Sequence, residues 1–290
     1  MLEELIKSKK ITFILIFPLL FWTLLIFYKH ISLESSIIGY LSIASVLFYT
    51  YSNQLIKSPF ITNVIFFSLL VSFDFQNFSL YAQISNLILM VVFLLSEYGY
   101  ATRKRYLFFD VTILIFAAIY IYPPAIFFSL FVFLLLINKS VRKVNVWLIP
   151  PFITILTGIG FLGASYLFDF DAINFLYKHI DLLQHKDFNI ISKNIFQVGV
   201  LGVLTIAALI DHFQSAFKQA IDRKKSYELV IYFLFTALLC FFLTEEALLF
   251  TLFPSSILIG KFIYFRNNRF WKYILLFYFP IYAIIHLLSA

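Results

Sequence analysis

Apolar runs of 13 to 21 residues alternate with short polar breaks along the whole chain. Eleven can be traced, at residues 11–28, 36–51, 61–73, 81–96, 107–122, 124–138, 147–167, 195–213, 227–243, 247–264 and 271–288. In hydrocarbon every backbone donor and acceptor must be satisfied within the segment, so each run predicts a helix. The expected fold is all-α, a polytopic transmembrane helix bundle of about eleven spans forming a single membrane domain over residues 1–290. Three runs, 61–73, 107–122 and 124–138, are short. A helix of about 14–16 residues rises roughly 21–24 Å against a hydrocarbon thickness of about 30 Å. Such segments borrow flanking polar residues, thin the bilayer, or dip in without crossing. Pro123-Pro124 predicts a sharp turn between two runs, and Pro18, Pro254 and Pro280 fall inside runs, where loss of a backbone donor favours a kink.

The longest polar break, 168–194, has a pattern of its own. Ile173, Leu176, Ile180 and Leu183 recur at spacings of three and four, with Asn174, Lys178, Asp181 and His185 between them. That periodicity predicts an amphipathic helix lying on the membrane surface.

Composition makes lipid the expected solvent. Hydrophobic residues are 62% of the chain and charged residues 13%, with a mean hydropathy of +0.94; soluble domains average about 45–50% and about 25%. Charge then orients the bundle. Eighteen of the 22 Lys and Arg residues fall in every second break, leaving Lys29, Lys178, Lys186 and Lys193 for the others. Basic residues stay on the cytoplasmic side, which places the N-terminus in the cytoplasm and the C-terminus in the periplasm. The inner breaks carry a net +11 and the outer a net −4. The overall +7 is thus a membrane-orientation pattern that meets anionic head groups. No continuous basic stripe follows a phosphate backbone, so nucleic acid is not an expected partner. Trp147 and Trp271 stand at inner ends of their runs, as interfacial aromatics do. The first run follows Lys7, Lys9 and Lys10 without a small-residue cleavage pattern and reads as a retained span. Cys240, the one cysteine, cannot form an intrachain disulfide.

Several motifs admit two readings. Gly158-Ile159-Gly160-Phe161-Leu162-Gly163 matches the dinucleotide fingerprint, which needs a strand leading into a helix N-terminus. Deep in an apolar run it reads instead as a small-residue face for helix packing, with Gly160 and Ala164 one turn apart. Asp169-Phe170-Asp171 could hold a divalent cation and through it a diphosphate; the alternative is a helix cap. Glu245-Glu246, Asp74, Glu34, His30, His179 and His185 also fall in outer breaks. Converging there, they would suit acid–base or metal chemistry; the simpler reading is that turns between spans are polar. The weak catalytic candidates are therefore Asp169, Asp171, Glu245, Glu246 and Asp74, with Asp169 and Asp171 the metal candidates. No His pair has zinc-like spacing, and no cofactor is expected. Asp110, Asp211, His212 and Lys261 lie near inner ends, where they reach water or snorkel. No charge stands at mid-span, and glycine numbers only 8, both of which count against an ion-coupled carrier.

Three motifs carry a likeness to a known family: Lys7-Ser8-Lys9 before the first run, Trp147-Leu148-Ile149-Pro150, and Phe250-Thr251-Leu252-Phe253-Pro254. Over nearly its full length the chain resembles a family of polytopic inner-membrane proteins of Bacteroidota that is defined as a domain of unknown function. Glu245-Glu246 departs from it, in place of a more basic or Asn-rich turn. The resemblance implies the inner membrane of a two-membrane bacterium and no particular activity. The expected role is a non-catalytic component of a cell-envelope or secretion assembly, with membrane lipids and other inner-membrane or envelope proteins as partners. The alternatives are an enzyme acting on a polyprenyl- or lipid-linked substrate at the outer leaflet, and a transporter.

Overall fold

The computed structural model describes residues 22–23, 32–52, 59–102, 106–139, 144–167, 194–215, 221–265 and 269–289. Among these the chain is all-helical, with no strand. Ten helices fall on the second to eleventh apolar runs: α1 (Leu33–Ser52), α2 (Pro59–Ser72), α3 (Leu80–Thr102), α4 (Tyr106–Ile121), α5 (Phe128–Asn138), α6 (Ile149–Leu167), α7 (Ile195–Ser215), α8 (Ile221–Phe241), α9 (Leu248–Phe265) and α10 (Arg269–Ser289). Residues 168–193, where the amphipathic surface helix was expected, lie outside the described residues, as does most of the first run with Pro18.

Five stretches are long and apolar enough to cross a bilayer: Leu33–Thr50, Leu80–Glu97, Val144–Leu167, Ile195–Ser215 and Glu245–Phe265. Pro59–Ser72, Leu107–Ile121, Pro123–Asn138 and Lys272–Leu287 are apolar but shorter. Five is fewer than the eleven runs: four helices are too short, the charged start of α8 lowers its hydropathy, and most of the first run lies outside the described residues. The three runs expected to be short are among these four, and the first turns of α8 are diluted by Arg223, Lys224, Lys225 and Glu228. Pro123-Pro124 sets one limit directly. Tyr122 before it is extended (φ −140°, ψ 91°), and a 3-10 turn, Pro123–Phe127, separates α4 from α5. Pro254 and Pro280 instead lie within α9 and α10, which continue through them.

The chain divides into two compact units. The first comprises Met1–Leu80, Asn189–Val230 and Thr251–Ala290. Here α10 and α1 each pack against α2. The buried Trp22 meets Tyr40, Phe67 and Phe75 edge-on and donates its indole N–H to the Ser36 carbonyl (3.2 Å). Two glycines permit close approach. A Cβ at Gly39 would collide with the Trp22 ring, and one at Gly260 would lie 2.5 Å from Thr62 Oγ1 and 3.2 Å from its Cα.

The second unit comprises Tyr81–Phe188 and Ile231–Phe250. In it α4 packs against α6 and α5. Its core centres on Phe233, whose ring meets Phe93, Phe128 and Phe131 edge-on at 5.4, 4.9 and 5.5 Å. Phe250 extends the cluster through Phe128 and Tyr122, both at 5.8 Å. Hydroxyls on these apolar helices turn back on their own backbone. Ser96 donates to the Val92 carbonyl at 2.7 Å, Thr112 to Phe108 at 2.6 Å and Thr157 to Ile153 at 2.7 Å.

Burial is uneven between helices: 89% of an 18-residue apolar window of Glu245–Phe265 is buried but only 18% of one in Val144–Leu167. Phe233→Ala removes an aromatic core contact with three partners and should cost about 3–5 kcal/mol of stability. Leu162→Ala, at an exposed position of α6, should stay within about 0.5 kcal/mol of the parent. Thermal unfolding in detergent compares the two.

Candidate functional site

Glu245 and Glu246 form the 3-10 turn Glu245–Ala247 that leads into α9. Thr244 precedes it as the cap, its hydroxyl accepting the Glu246 N–H at 3.1 Å. Thr244 Oγ1 also lies 3.0 Å from the Tyr122 hydroxyl, tying the turn to the Pro123 corner. Acidic side chains in the first turn of a helix face its positive dipole end. The two glutamates stand just ahead of α9, on the side of its positive dipole end. Asp169, Asp171, His179 and His185 lie outside the described residues. Among the described residues no group of three His, Cys, Asp or Glu could hold a metal ion.

Asp74 has a different setting. It follows α2 in the left-handed region (φ 47°, ψ 75°), the one positive-φ non-glycine residue among those described. Asp tolerates this conformation better than most residues, because its short polar side chain can bond locally. Its backbone holds the corner, donating to the Val71 carbonyl (3.1 Å) and accepting from Asn77 N–H (2.7 Å). The carboxylate is thereby presented to the last turns of α10, where His286 Nε2–H donates to Oδ2 at 3.0 Å. Both side chains are largely buried, at 20% and 16% exposure. The contact is an ion pair when the imidazole is protonated.

From His286 a row of rings continues back along α10 at intervals of four residues. Tyr282 lies nearly parallel to His286 (7°, centroids 6.4 Å apart), and Tyr278 follows at 6.1 Å. The Tyr278 hydroxyl donates to Gln197 Oε1 at 3.1 Å, joining α10 to α7. Asp74, His286, Tyr282, Tyr278 and Gln197 thus make one polar-aromatic line through the first unit. Chemically, a carboxylate that orients an imidazole is a base-and-orienter pair able to take a proton from a bound hydroxyl. Asp74 was singled out from sequence. His286, 212 residues away, was not joined to it. One signal was present: the alternation of breaks puts both positions at outer ends.

A second cluster stands at the other end of the same unit. Lys261 Nζ donates to His212 Nδ1 at 2.7 Å and sits 4.1 Å from the centre of the Tyr227 ring. An ammonium has only donors, so the imidazole carries its proton on Nε2. The reading of His212 and Lys261 as snorkelling residues is corrected here. They are 1% and 7% exposed, because the inward-turned amine finds an acceptor and an aromatic face. Asp110 is exposed and Asp211 half-buried, closer to expectation.

The glycine motif is also resolved. Gly158, Gly160 and Gly163 lie inside α6, with no strand before them and nothing within 4 Å of a Cβ built at any of them. A phosphate cradle is ruled out by the mid-helix position. Gly158 and Gly160, two residues apart, point to opposite sides of α6, so the three glycines form no single face, and among the described residues none has a neighbour within 4 Å of such a Cβ.

These features define an all-helical protein with several helices long and apolar enough to cross a membrane. The chain belongs to a family of unknown function, DUF6427, whose model matches residues 1–289. No curated protein and no solved structure matches it.

Replacement of Asp74 separates its two roles. Asp74→Asn keeps a residue that tolerates φ > 0 and should lose only the charge-assisted bond to His286, roughly 1–2 kcal/mol. Asp74→Ala should lose about 1 kcal/mol more, the cost of a left-handed conformation. Thermal melting of the pair in detergent reads the difference.

Proposed function

We propose that the chain is a multi-pass protein of a bacterial inner membrane, crossing at eleven segments with a cytoplasmic N-terminus and a periplasmic C-terminus. In this reading it serves as a non-catalytic component of a cell-envelope or secretion assembly. The sorting of basic residues supports the orientation. Four contacts agree with it, each joining positions that the sorting assigns to the same side. Asp74–His286 and Tyr122–Thr244 are outer; Lys261–His212 and the Lys139 amine on the Ser96 carbonyl (2.8 Å) are inner.

The observation that carries the assembly role is the face of α6. Phe152, Ile155, Ile159, Leu162 and Tyr166 are exposed along one stripe, and beside it, among the described residues, nothing lies within 4 Å of a Cβ built at Gly163. Small residues let helix backbones approach closely, so this face fits a transmembrane helix of a second envelope protein. A second reading, an enzyme acting on a lipid-linked substrate at the outer leaflet, is favoured by the Asp74–His286 pair alone.

Two measurements test the proposal. Reporter fusions at the two termini should report opposite compartments; a shared compartment removes the orientation. Purification in mild detergent should retain envelope proteins with the parent chain. Gly163→Trp should lose them while its melting temperature is unchanged. Retention of the same proteins by Gly163→Trp would overturn the docking role of α6.

A further inference from the structure

Helix α7 turns its polar side chains inward and its bulky apolar ones out. Its buried residues are Gln197, Leu201, Thr205, Ala208 and His212, while Phe196, Val203, Ile206, Ile210 and Phe213 are exposed. At about 100° per residue the buried positions fall within an arc of about 80°, so they form one face about 22 Å long. Its polar members, Gln197, Thr205 and His212, are 0%, 7% and 1% exposed. His212 is held at one end by Lys261, and Gln197 at the other by the Tyr278 hydroxyl. From Tyr278 the row of Tyr282 and His286 continues about 12 Å along α10 to the Asp74 carboxylate. All of these residues belong to the first unit. On the proposed orientation the line runs from the outer to the inner side over about 34 Å, against a hydrocarbon thickness of about 30 Å.

Two atoms on this face, Gln197 Nε2 and Thr205 Oγ1, have no hydrogen-bond partner among the described residues. An unmatched polar atom this deep costs about 1–3 kcal/mol, and internal water is the usual means by which proteins remove that cost. Water at both atoms would join the amide and the hydroxyl to His212 in one hydrated seam. Between His212 and His286 the named groups are neutral hydroxyls and an amide, which offer no charged ligand to a metal or alkali ion. Hydroxyls, imidazoles and water do exchange protons. At the inner end the exchange balances. A proton lost from His212 Nε2 is replaced at Nδ1 by one from the Lys261 ammonium, and the amine regains a proton from water at the inner surface. One step is dry: Leu201 stands between Gln197 and Thr205, which are about 12 Å apart along the axis. A hydrophobic step of this kind passes protons only while wetted.

We propose that the buried face of α7 is a proton path through the first unit, joining the Asp74–His286 pair at the outer side to the His212–Lys261 pair at the inner, with Leu201 as its gate. The inference rests on the membrane embedding proposed above and is independent of the assembly role.

The test uses the full chain reconstituted in phosphatidylethanolamine–phosphatidylglycerol vesicles loaded with the pH-sensitive dye pyranine. Potassium efflux through valinomycin draws protons inward. The parent chain should acidify the interior faster than protein-free vesicles do. Leu201→Ser should raise the rate about tenfold, equivalent to lowering the barrier by about 1.4 kcal/mol. Thr205→Val, close in shape but without the hydroxyl, should fall to the protein-free rate while its melting temperature is unchanged. Gln197→Leu serves the same purpose if the first variant does not fold. Val203→Ala, on the exposed face of α7, should match the parent. A parent no faster than protein-free vesicles, or a rate that neither Thr205→Val nor Gln197→Leu lowers, overturns the path. A parent rate in Leu201→Ser overturns the gate, and sodium entry as fast as proton entry overturns the assignment to protons. A chain that does not float with the vesicles overturns the membrane embedding; one that floats without conducting overturns the path alone.

Discussion

Polar groups on apolar helices have nowhere to turn but inward, and that constraint shapes this chain throughout. Backbone groups are consumed by helix formation, and side-chain hydroxyls fold back on carbonyls three or four residues earlier. Where a polar side chain reaches across between helices, it finds a specific counterpart. Asn63 Nδ2 donates to Thr50 Oγ1 at 3.1 Å, and Ser85 donates to the Ala118 carbonyl at 3.3 Å. The corners obey the same logic: Thr244 caps one turn, and Asp74 holds another with its backbone while its carboxylate meets His286. Against that background Gln197 Nε2, without a hydrogen-bond partner among the described residues, stands out.

Aromatic geometry supplies the specificity that apolar surface alone cannot. With 39 phenylalanines, many alternative packings would bury similar area. Edge-on contacts narrow the choice, since a ring edge is favoured against a neighbour's face and each such pair adds about 0.5–1.5 kcal/mol beyond burial. Phe233 with its three partners and Trp22 with its three are the clearest cases. Gly39 and Gly260 do the converse job, leaving room where a ring or a backbone passes close.

Helix identity was legible in the chain because apolar runs broken by charge have few other outcomes, and ten runs are occupied by helices. Helix length was less legible. Where a helix ends depends on local chemistry such as Pro123-Pro124, which could be read, and on tertiary contacts such as the Asp74 corner, which could not. The acidic turn at Glu245-Glu246 was visible as charge, but its role as a helix start depends on Thr244, whose hydroxyl position only the fold defines. Asp74 was named without its partner, because pairing across 212 residues leaves no periodic trace. The small-residue motif of α6 was recognised as helical, yet which surface would cover it is not written in one chain's pattern.

Burial of α9 carries a consequence for biogenesis. α9, one of the most enclosed helices, is nearly the last to be synthesised, and it supplies Phe250 to the ring cluster of one unit and Phe253 to Tyr49 and Phe66 in the other. Until the ribosome has passed residue 253, Tyr49 and Phe66 lack the ring of Phe253, and Phe128 and Tyr122 have only just gained that of Phe250. The tail of the message therefore sets the moment at which each core gains its last aromatic contacts.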